Sequence, residues 1–123
     1  MDRLRSTHRE LEIESCSSGG GRCDYGVLSR TDRLWTSDSN DALERQRIQR
    51  GASLLFPLSV LGSHVGPAEC HITQRRLSMR FRAATAMFGH MGLELDLFEE
   101  SEEDLKVLEE AIFDLYRAYE GKE

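Results

Sequence analysis

Two short stretches of the chain contain residue types that could do chemistry. The first is a glycine-rich run, Cys-Ser-Ser-Gly-Gly-Gly-Arg, at residues 16–22, and the second is Trp-Thr-Ser-Asp at residues 35–38. Three consecutive glycines leave one side of a turn without Cβ atoms, so backbone N–H groups can approach a polar ligand closely. A nearby carboxylate, such as Asp38, can donate or accept a proton. The two stretches predict a wall that holds a polar ligand, such as a sugar, beside a catalytic acid.

Short strands are expected to position both stretches. Residues 11–14, Leu-Glu-Ile-Glu, alternate between apolar and polar side chains and stop at the glycine run, which is typical of a strand. Residues 33–37 form a second strand candidate that ends at Asp38, and residues 60–67 are interpreted as the last strand. Both stretches therefore follow directly on the carboxyl end of a strand candidate.

Asp38 has a second interpretation, because it stands between a strand and a helix. The helix is predicted to begin near Asp41 and to run to about Arg50, where Gly51 breaks it. Position alone favours a helix cap for Asp38, and glycine runs more often mark flexible turns than binding sites. For His64 we favour a hydrogen-bonded structural role near the ligand, without proton transfer.

The remainder of the chain predicts packing elements. Residues 54–57 are interpreted as a buried apolar turn, and residues 76–92 as the longest helix, with a small apolar packing face that includes His90. Residues 101–104 form a capping-box signature ahead of an amphipathic helix. We therefore divide the chain into a body, residues 1–100, and a helix that docks on it, residues 101–123, with a partner-binding helix as the alternative.

Composition narrows the possible functions. The 123 residues are enough for one small domain but only about half of a typical ~250-residue barrel. The net charge is −6 and the arginines are interleaved with acids, which argues against nucleic acid as a partner. No apolar run approaches the ~20 residues of a membrane span and the first residues lack a signal-peptide core, so we expect a cytoplasmic protein without a membrane partner. Three cysteines without Cys-x-x-Cys spacing predict reduced thiols, no metal and no cofactor.

Four collinear segments resemble the bacterial α-galactosidases of glycoside hydrolase family 36. They are ELEIESCSSGGGR, LWTSDSNDALERQRIQRG, LGSHVGP and FRAATAMFGHMGLELDL. The resemblance implies an α/β fold in which this chain is the carboxyl-terminal portion, about the last three β/α units, of a (β/α)8 TIM barrel. That barrel would be incomplete as given.

The same resemblance implies a function. Enzymes of this family hydrolyse terminal α-D-galactosyl residues, as in melibiose and raffinose, with retention of configuration and with two carboxylates. Asp38 matches the acid/base, and its Trp-Thr-Ser-Asp context favours that role over a helix cap. The partners implied are α-galactoside sugars, and a homo-oligomer is expected for the full-length enzyme. Three positions match the galactose subsite of the family: Cys16, Ser18 and Gly19. Arg22 and Trp35 match positions that support it.

The sequence also departs from the family pattern. The Lys-Trp-Asp motif of the nucleophile does not occur in these 123 residues, so the isolated chain is predicted to be inactive. Ser18 and Gln74 stand where relatives commonly carry glycine, and Gln74 is tolerable only if its position does not need a positive φ. Two alternatives stay open: a catalytically inactive fragment or sugar-binding remnant, and a galactosyl-transferring or N-acetylgalactosaminidase relative.

Overall fold

Helices and short strands alternate along residues 1–120, which are the residues that this computed structural model describes. Residues 121–123, the end of the predicted docking segment, lie outside them. The strands are β1 (Glu14–Ser15), β2 (Arg33–Leu34), β3 (Gly62–Val65) and β4 (His90–Leu93). The helices are α1 (Asp2–Thr7), α2 (Tyr25–Leu28), α3 (Ala42–Ser53), α4 (Met79–Ala86) and α5 (Glu102–Glu120), with 3-10 turns at Leu58–Val60 and Leu97–Glu99.

The strands are parallel and join neighbours in chain order. β1 pairs with β2, with Glu14 opposite Arg33, and β3 pairs with β4 along its whole length. A parallel bridge between Leu34 and Leu61 links the two pairs. Because a helix follows every strand, the architecture is an α/β fold. The carboxyl ends of the four strands therefore lie at one edge, which we call the carboxyl edge.

Two apolar clusters hold the helices against one face of the strands. Leu34 and Leu61 are fully buried against Phe56 and the apolar side chains of α2. The second cluster packs α5 on the body. Leu108 of α5 is buried with Val65 of β3 and with three residues of α4: Met79, Ala83 and Ala86. Full burial of each Leu, Val or Met contributes about 1.5–3 kcal/mol to folding.

The opposite face of the strands is polar. Nη1 of Arg33 on β2 lies 2.6 Å from the Glu12 carboxylate and 3.3 Å from Nε2 of His90 on β4. Gly62 of β3 leaves room on this face for Glu14, because a Cβ there would lie 2.9 Å from the Glu14 carboxylate. One apolar face and one polar face follow from the alternation of side chains along a strand.

The prediction of a longest helix at residues 76–92 is wrong. α4 covers only Met79–Ala86, and after Gly89 the chain enters β4, where His90 N donates to Leu61 O at 2.7 Å. A Cβ on Gly89 would lie 2.6 Å from Leu61 O, so this glycine permits a close approach of two backbones. The predicted strand at residues 60–67 is therefore not the last one. Residues 1–120 form four strand and helix units instead of about three, and α5, with 19 residues, is the longest helix among them.

Three local predictions also differ from the structure. α3 continues through Gly51 to Ser53, since a glycine inside a helix costs only about 1 kcal/mol. The turn at residues 54–57 is largely exposed, with Leu54 82% and Leu55 68% accessible to solvent. The first strand begins later than residues 11–14 suggest, because the N–H of Ile13 donates to a side chain, the Asp32 carboxylate, at 2.7 Å.

Candidate active site

The glycine run and the Trp-Thr-Ser-Asp stretch meet at the carboxyl edge. Trp35 N donates to Ser15 O at 2.8 Å, which places the residues after β2 beside those after β1. Gly19 then packs against the neighbouring segment, where a Cβ would lie 2.6 Å from Ser37 Cα and 3.0 Å from Asp38 N. The glycine is required because only a residue without a side chain allows the turn to approach Asp38 this closely.

The turn has a left-handed backbone at two consecutive residues. Gly19 has φ +66°, and Ser18 has φ +48° with an exposed side chain. Hydrogen bonds from Ser17 N to Gly19 O and from Gly21 N to Ser17 O, each 3.1 Å long, close the turn. A left-handed φ is unfavourable for serine, so the departure from glycine at residue 18 falls on a position that glycine suits better.

Asp38 is exposed at this edge and is not a helix cap. Its Oδ1 lies 3.9 Å from the exposed Sγ of Cys16, at the distance of a weak thiol hydrogen bond. The cap of α3 is Asp41, whose Oδ1 accepts from the backbone N–H groups of Leu43 (2.9 Å) and Glu44 (3.2 Å). The interpretation of Asp38 as a cap is therefore wrong, and its carboxylate stays available to a ligand.

Arg45 of α3 lies directly behind this segment, and the sequence did not identify it. Its side chain is 1% exposed, and its guanidinium carbon is 3.7 Å from the centre of the Trp35 ring. Nη1 donates to Thr36 Oγ1 and Nη2 to Ser37 O, both at 2.8 Å. Burial lowers the pKa of Arg45 to about 10, and the negative charges of Glu94, Glu14 and Asp38 oppose this shift. In the sequence, arginines interleaved with acidic residues gave no indication that one arginine is buried.

Trp35 is buried, with 7% of its surface exposed. Its ring also stacks on His64, with 4.3 Å between ring centroids. His64 Nδ1 lies 2.9 Å from Oε2 of Glu94, so this histidine is hydrogen-bonded, as its position suggested. Burial raises the pKa of the Glu94 carboxyl, but hydrogen bonds from His64 and Asn40 outweigh burial and hold that pKa below its ordinary value. The Trp35 ring thus lies between the Arg45 guanidinium and the His64 ring.

Asp41 connects the loop after β3 to the start of α3 through hydrogen bonds. Its side chain is fully buried, and its Oδ2 accepts from the Thr73 hydroxyl and, at 2.6 Å, from Arg75 Nη1. Burial raises the pKa of Asp41, but the hydrogen bonds from Thr73, the Glu44 N–H and Arg75 together hold it below the ordinary value. Between these two donors, Gln74 has φ +58°, so this position does need a positive φ.

The six residues predicted for the site are not equally placed. Cys16, Gly19 and Asp38 converge within the contacts described above, Ser18 is exposed on the turn beside them, and Trp35 lies behind them. Arg22 is exposed just after the turn. The structure therefore brings five of the six together at the carboxyl edge, and within residues 1–120 no hydrogen bond or ion pair joins Arg22 to the others.

Within residues 1–120, no three His, Cys, Asp or Glu side chains are arranged to hold a metal ion. Across the same residues, no helix combines the length and apolarity that crossing a bilayer requires. A cleft of about 350 Å³ lies between α3 and α4, but it contains none of the carboxyl-edge residues; its lining is Gln46, Gln49, Arg50, Ser53, Leu58, Thr85 and Phe88.

Known proteins share this sequence and this arrangement. The sequence profile of the Melibiase family matches residues 1–120. An α-galactosidase of Escherichia coli is 58% identical over 96 residues, which are 78% of this chain and 14% of that protein. The bifunctional α-galactosidase/sucrose kinase AgaSK of Mediterraneibacter gnavus is 42% identical over 98% of this chain and 13% of its own length.

Solved structures agree with the sequence comparison. The galactosidase domain of AgaSK superposes with a TM-score of 0.90 at 40% identity, over 94% of this chain and 16% of that one. The family 36 α-galactosidase AgaA of Geobacillus stearothermophilus, in a crystal structure with raffinose, gives a TM-score of 0.89 at 36% identity over the same shares. The chain thus spans only 13–16% of these relatives.

Proposed function

The chain belongs to the melibiase family, and from that premise we propose that it carries the acid/base, Asp38, of a retaining α-galactosidase. The observation that supports this role is the exposed Asp38 carboxylate beside the glycine turn, at an edge where Asp41 already caps the helix. Cys16, Ser18 and Gly19 form part of the galactose subsite, and Arg22 and Trp35 support it. α-Galactosides of the melibiose and raffinose type are the substrates.

The four parallel strands belong, in this proposal, to a (β/α)8 barrel. Each strand is followed by a helix, neighbours in sequence are neighbours in space, and the polar face of the strands lies opposite the helices. A closed barrel would enclose that polar face, and its active site would lie at the carboxyl edge. Further strands come from chain outside residues 1–123, as the greater length of the relatives allows.

The reaction proceeds through two carboxylates about 5–5.5 Å apart. A nucleophile attacks the anomeric carbon while the bond to the leaving oxygen breaks and that oxygen takes the proton of Asp38. Asp38, now a carboxylate, then removes a proton from water; the water oxygen bonds to the anomeric carbon and the nucleophile leaves. Asp38 is protonated again at the end, and each step conserves charge and protons.

The nucleophile lies outside this chain. Trp35 is the only tryptophan, and it is preceded by leucine and followed by threonine, so the Lys-Trp-Asp motif does not occur in residues 1–123. We therefore expect no turnover of an aryl α-galactoside by the isolated chain, although it can still bind galactose. This observation favours a sugar-binding fragment as the second candidate function. Turnover by purified chain that Asp38→Asn abolishes would show that the chain supplies a nucleophile.

A chimera tests the role of Asp38. The chain replaces the matching segment of the E. coli relative, and Asp38→Ala is compared with Asp41→Ala, which removes the true helix cap. Asp38→Ala should still release an activated aryl group in a burst and then turn over slowly, because no carboxylate activates water. Azide needs no general base, so it should accelerate turnover of Asp38→Ala and leave Asp41→Ala unchanged. Full activity of a folded Asp38→Ala chimera would contradict the proposal.

A further inference from the structure

Three consecutive residues before Asp38 each contact the same guanidinium. Arg45 stacks on the Trp35 ring at 3.7 Å, donates to the Thr36 hydroxyl at 2.8 Å, and donates to the Ser37 carbonyl at 2.8 Å. The three contacts differ in kind: a ring face, a side-chain oxygen and a backbone oxygen. Together they fix the direction in which the chain reaches Asp38.

The same face of α3 extends this support to the strands. The Thr36 hydroxyl, which accepts from Arg45, donates to Oε1 of Gln49 at 3.0 Å. Gln49 follows Arg45 by one helical turn, so both side chains lie on one face of α3. Its amide nitrogen lies 3.4 Å from Gly62 O of β3, and the side chain is 3% exposed. The support behind Trp35–Asp38 is therefore continuous from α3 to the strands.

The charge of Arg45 is buried and has no directly paired carboxylate within residues 1–120, where its hydrogen-bond partners are neutral oxygens. A buried cation costs several kcal/mol unless nearby anions offset that cost. The negative groups that act on it, Glu94, Glu14 and Asp38, belong to the polar face and the carboxyl edge. This buried cation therefore lies directly behind the segment that leads to the proposed acid/base.

We propose that Arg45 is a positioning residue for Asp38, which it orients through the Trp35–Ser37 backbone and whose negative charge it stabilises after proton transfer. This inference rests on the proposed function. Ser37 O and Asp38 N belong to one planar peptide unit, so fixing the carbonyl fixes the Cα of Asp38. When Asp38 gives its proton to the leaving oxygen, a preorganised positive charge is already in place.

Trp35, the only tryptophan, gives a direct measurement in the 123-residue chain. Arg45→Met keeps an unbranched side chain about as long as the stem of arginine and removes the guanidinium. The matched control is Arg82→Met, because Arg82 is equally buried (3% exposed) but bonds Glu100 and the carbonyls of Gly66 and Leu77 instead. Acrylamide quenching of Trp35 emission should rise about threefold in Arg45→Met and stay near the wild-type value in Arg82→Met. Equal quenching in the two variants would overturn the proposal.

Chemical rescue separates positioning from general stability. In Arg45→Gly, guanidinium ion at about 20 mM, far below denaturing concentrations, should return the quenching of Trp35 toward the wild-type value. Equal concentrations of NaCl and urea should not do so. Arg45→Lys keeps a charge but lacks the planar guanidinium that bonds two oxygens and stacks on a ring. Its Trp35 quenching should therefore stay well above the wild-type value. Full restoration by lysine or by NaCl would contradict a guanidinium-specific role.

A further measurement uses a variant that leaves Arg45 in place, in case the Arg45 variants fail to fold. Asp38→Asn changes an exposed side chain, and it should shift the Arg45 guanidinium signals in ¹⁵N NMR spectra of the chain. Asp24→Asn, a change at the exposed cap of α2, should leave those signals unmoved. Unchanged Arg45 signals in Asp38→Asn would overturn the proposed coupling.

Calorimetric titration with galactose distinguishes this inference from the proposed function. If wild-type chain binds galactose, Arg45→Met should weaken binding about tenfold and Arg82→Met less than about twofold; equal weakening counts against the inference. If wild-type chain does not bind galactose, the sugar-binding proposal fails for the isolated chain. Trp35 quenching and the Arg45 signals then decide the positioning role alone, since neither requires sugar.

Discussion

Nη1 of Arg75 donates a hydrogen bond to Oδ2 of Asp41 at 2.6 Å, although 34 residues separate the two in sequence. Asp41 is fully buried and also caps α3, three residues after Asp38. The contact therefore links the loop after β3 to the turn that bears the proposed acid/base. The stability of this turn should depend on the ionisation of Asp41.

Acid should remove the stabilisation that the ionised Asp41 side chain gives to the fold. The pKa of Asp41 is lower in the folded than in the unfolded protein, so its ionised form stabilises the fold at any pH above the ordinary carboxyl value, about 4. The contribution is lost as the pH falls from about 4 through the lower folded pKa. Asp41→Asn should thus cost about 1–2 kcal/mol near pH 6 and less near pH 2. Urea unfolding followed by Trp35 emission measures the difference.

Asp24→Asn provides the control for that experiment. Asp24 also caps a helix, since its carboxylate accepts from Val27 N at 2.8 Å, but that hydrogen bond is exposed to solvent. Its substitution should have a smaller effect at neutral pH. A cost for Asp41→Asn that stays constant from about pH 6 to about pH 2 would show that the buried carboxylate does not govern acid stability.

Gln74→Gly should stabilise the chain. Gln74 has φ +58°, where a residue with a Cβ is strained and glycine is not. The gain is reduced by the loss of a 2.8 Å hydrogen bond to His71 O and by the greater freedom of glycine when unfolded, leaving about 0.5–1 kcal/mol. Gln46→Gly, inside α3, should cost about 1 kcal/mol instead. Thermal unfolding of both variants tests the opposite signs, and destabilisation by Gln74→Gly would contradict the prediction.

Gly19→Ala should disrupt the proposed galactose subsite. The new Cβ would lie 2.6 Å from Ser37 Cα and would stand on a residue with φ +66°, so the turn must move away from Asp38. We expect a loss of about 2–3 kcal/mol and weaker galactose binding. Gly51→Ala is the matched control: nothing lies within 4 Å of its Cβ, and alanine in α3 should gain about 0.5–1 kcal/mol. Equal melting temperatures in the two variants would refute this reading of Gly19.

The isolated chain should self-associate. The strands present open edges, and the surface carries exposed apolar side chains, among them Phe98 at 100% and Leu54 at 82% exposure. Unpaired edges and apolar patches promote association. Sedimentation velocity should show dimers or larger species, and Leu54→Lys should reduce them. A monodisperse monomer with a sharp two-state melt would contradict this expectation. The homo-oligomer expected for the full-length enzyme stays a separate prediction.

Local sequence predicted the order of short strands and loops in the first part of the chain. A glycine run after an alternating segment and a lone aspartate after a short strand candidate predicted two loops, and the parallel pairing of β1 and β2 brings those loops together. The family resemblance also came from sequence segments alone, and the match of the Melibiase profile confirms it. These features depend on residues close in the chain, so a linear pattern contains them.

Only the tertiary structure decided the features that rest on distant contacts. β4 was missed because its strand character comes from pairing with β3, while its own sequence, His-Met-Gly-Leu, also suits the end of a helix. Asp41 is buried and paired with Arg75, and Arg45 is buried behind Trp35, because both side chains are held by partners that no local pattern identifies. The physical reason is that burial and pairing are set by what packs on a residue, and those neighbours arrive from elsewhere in the chain.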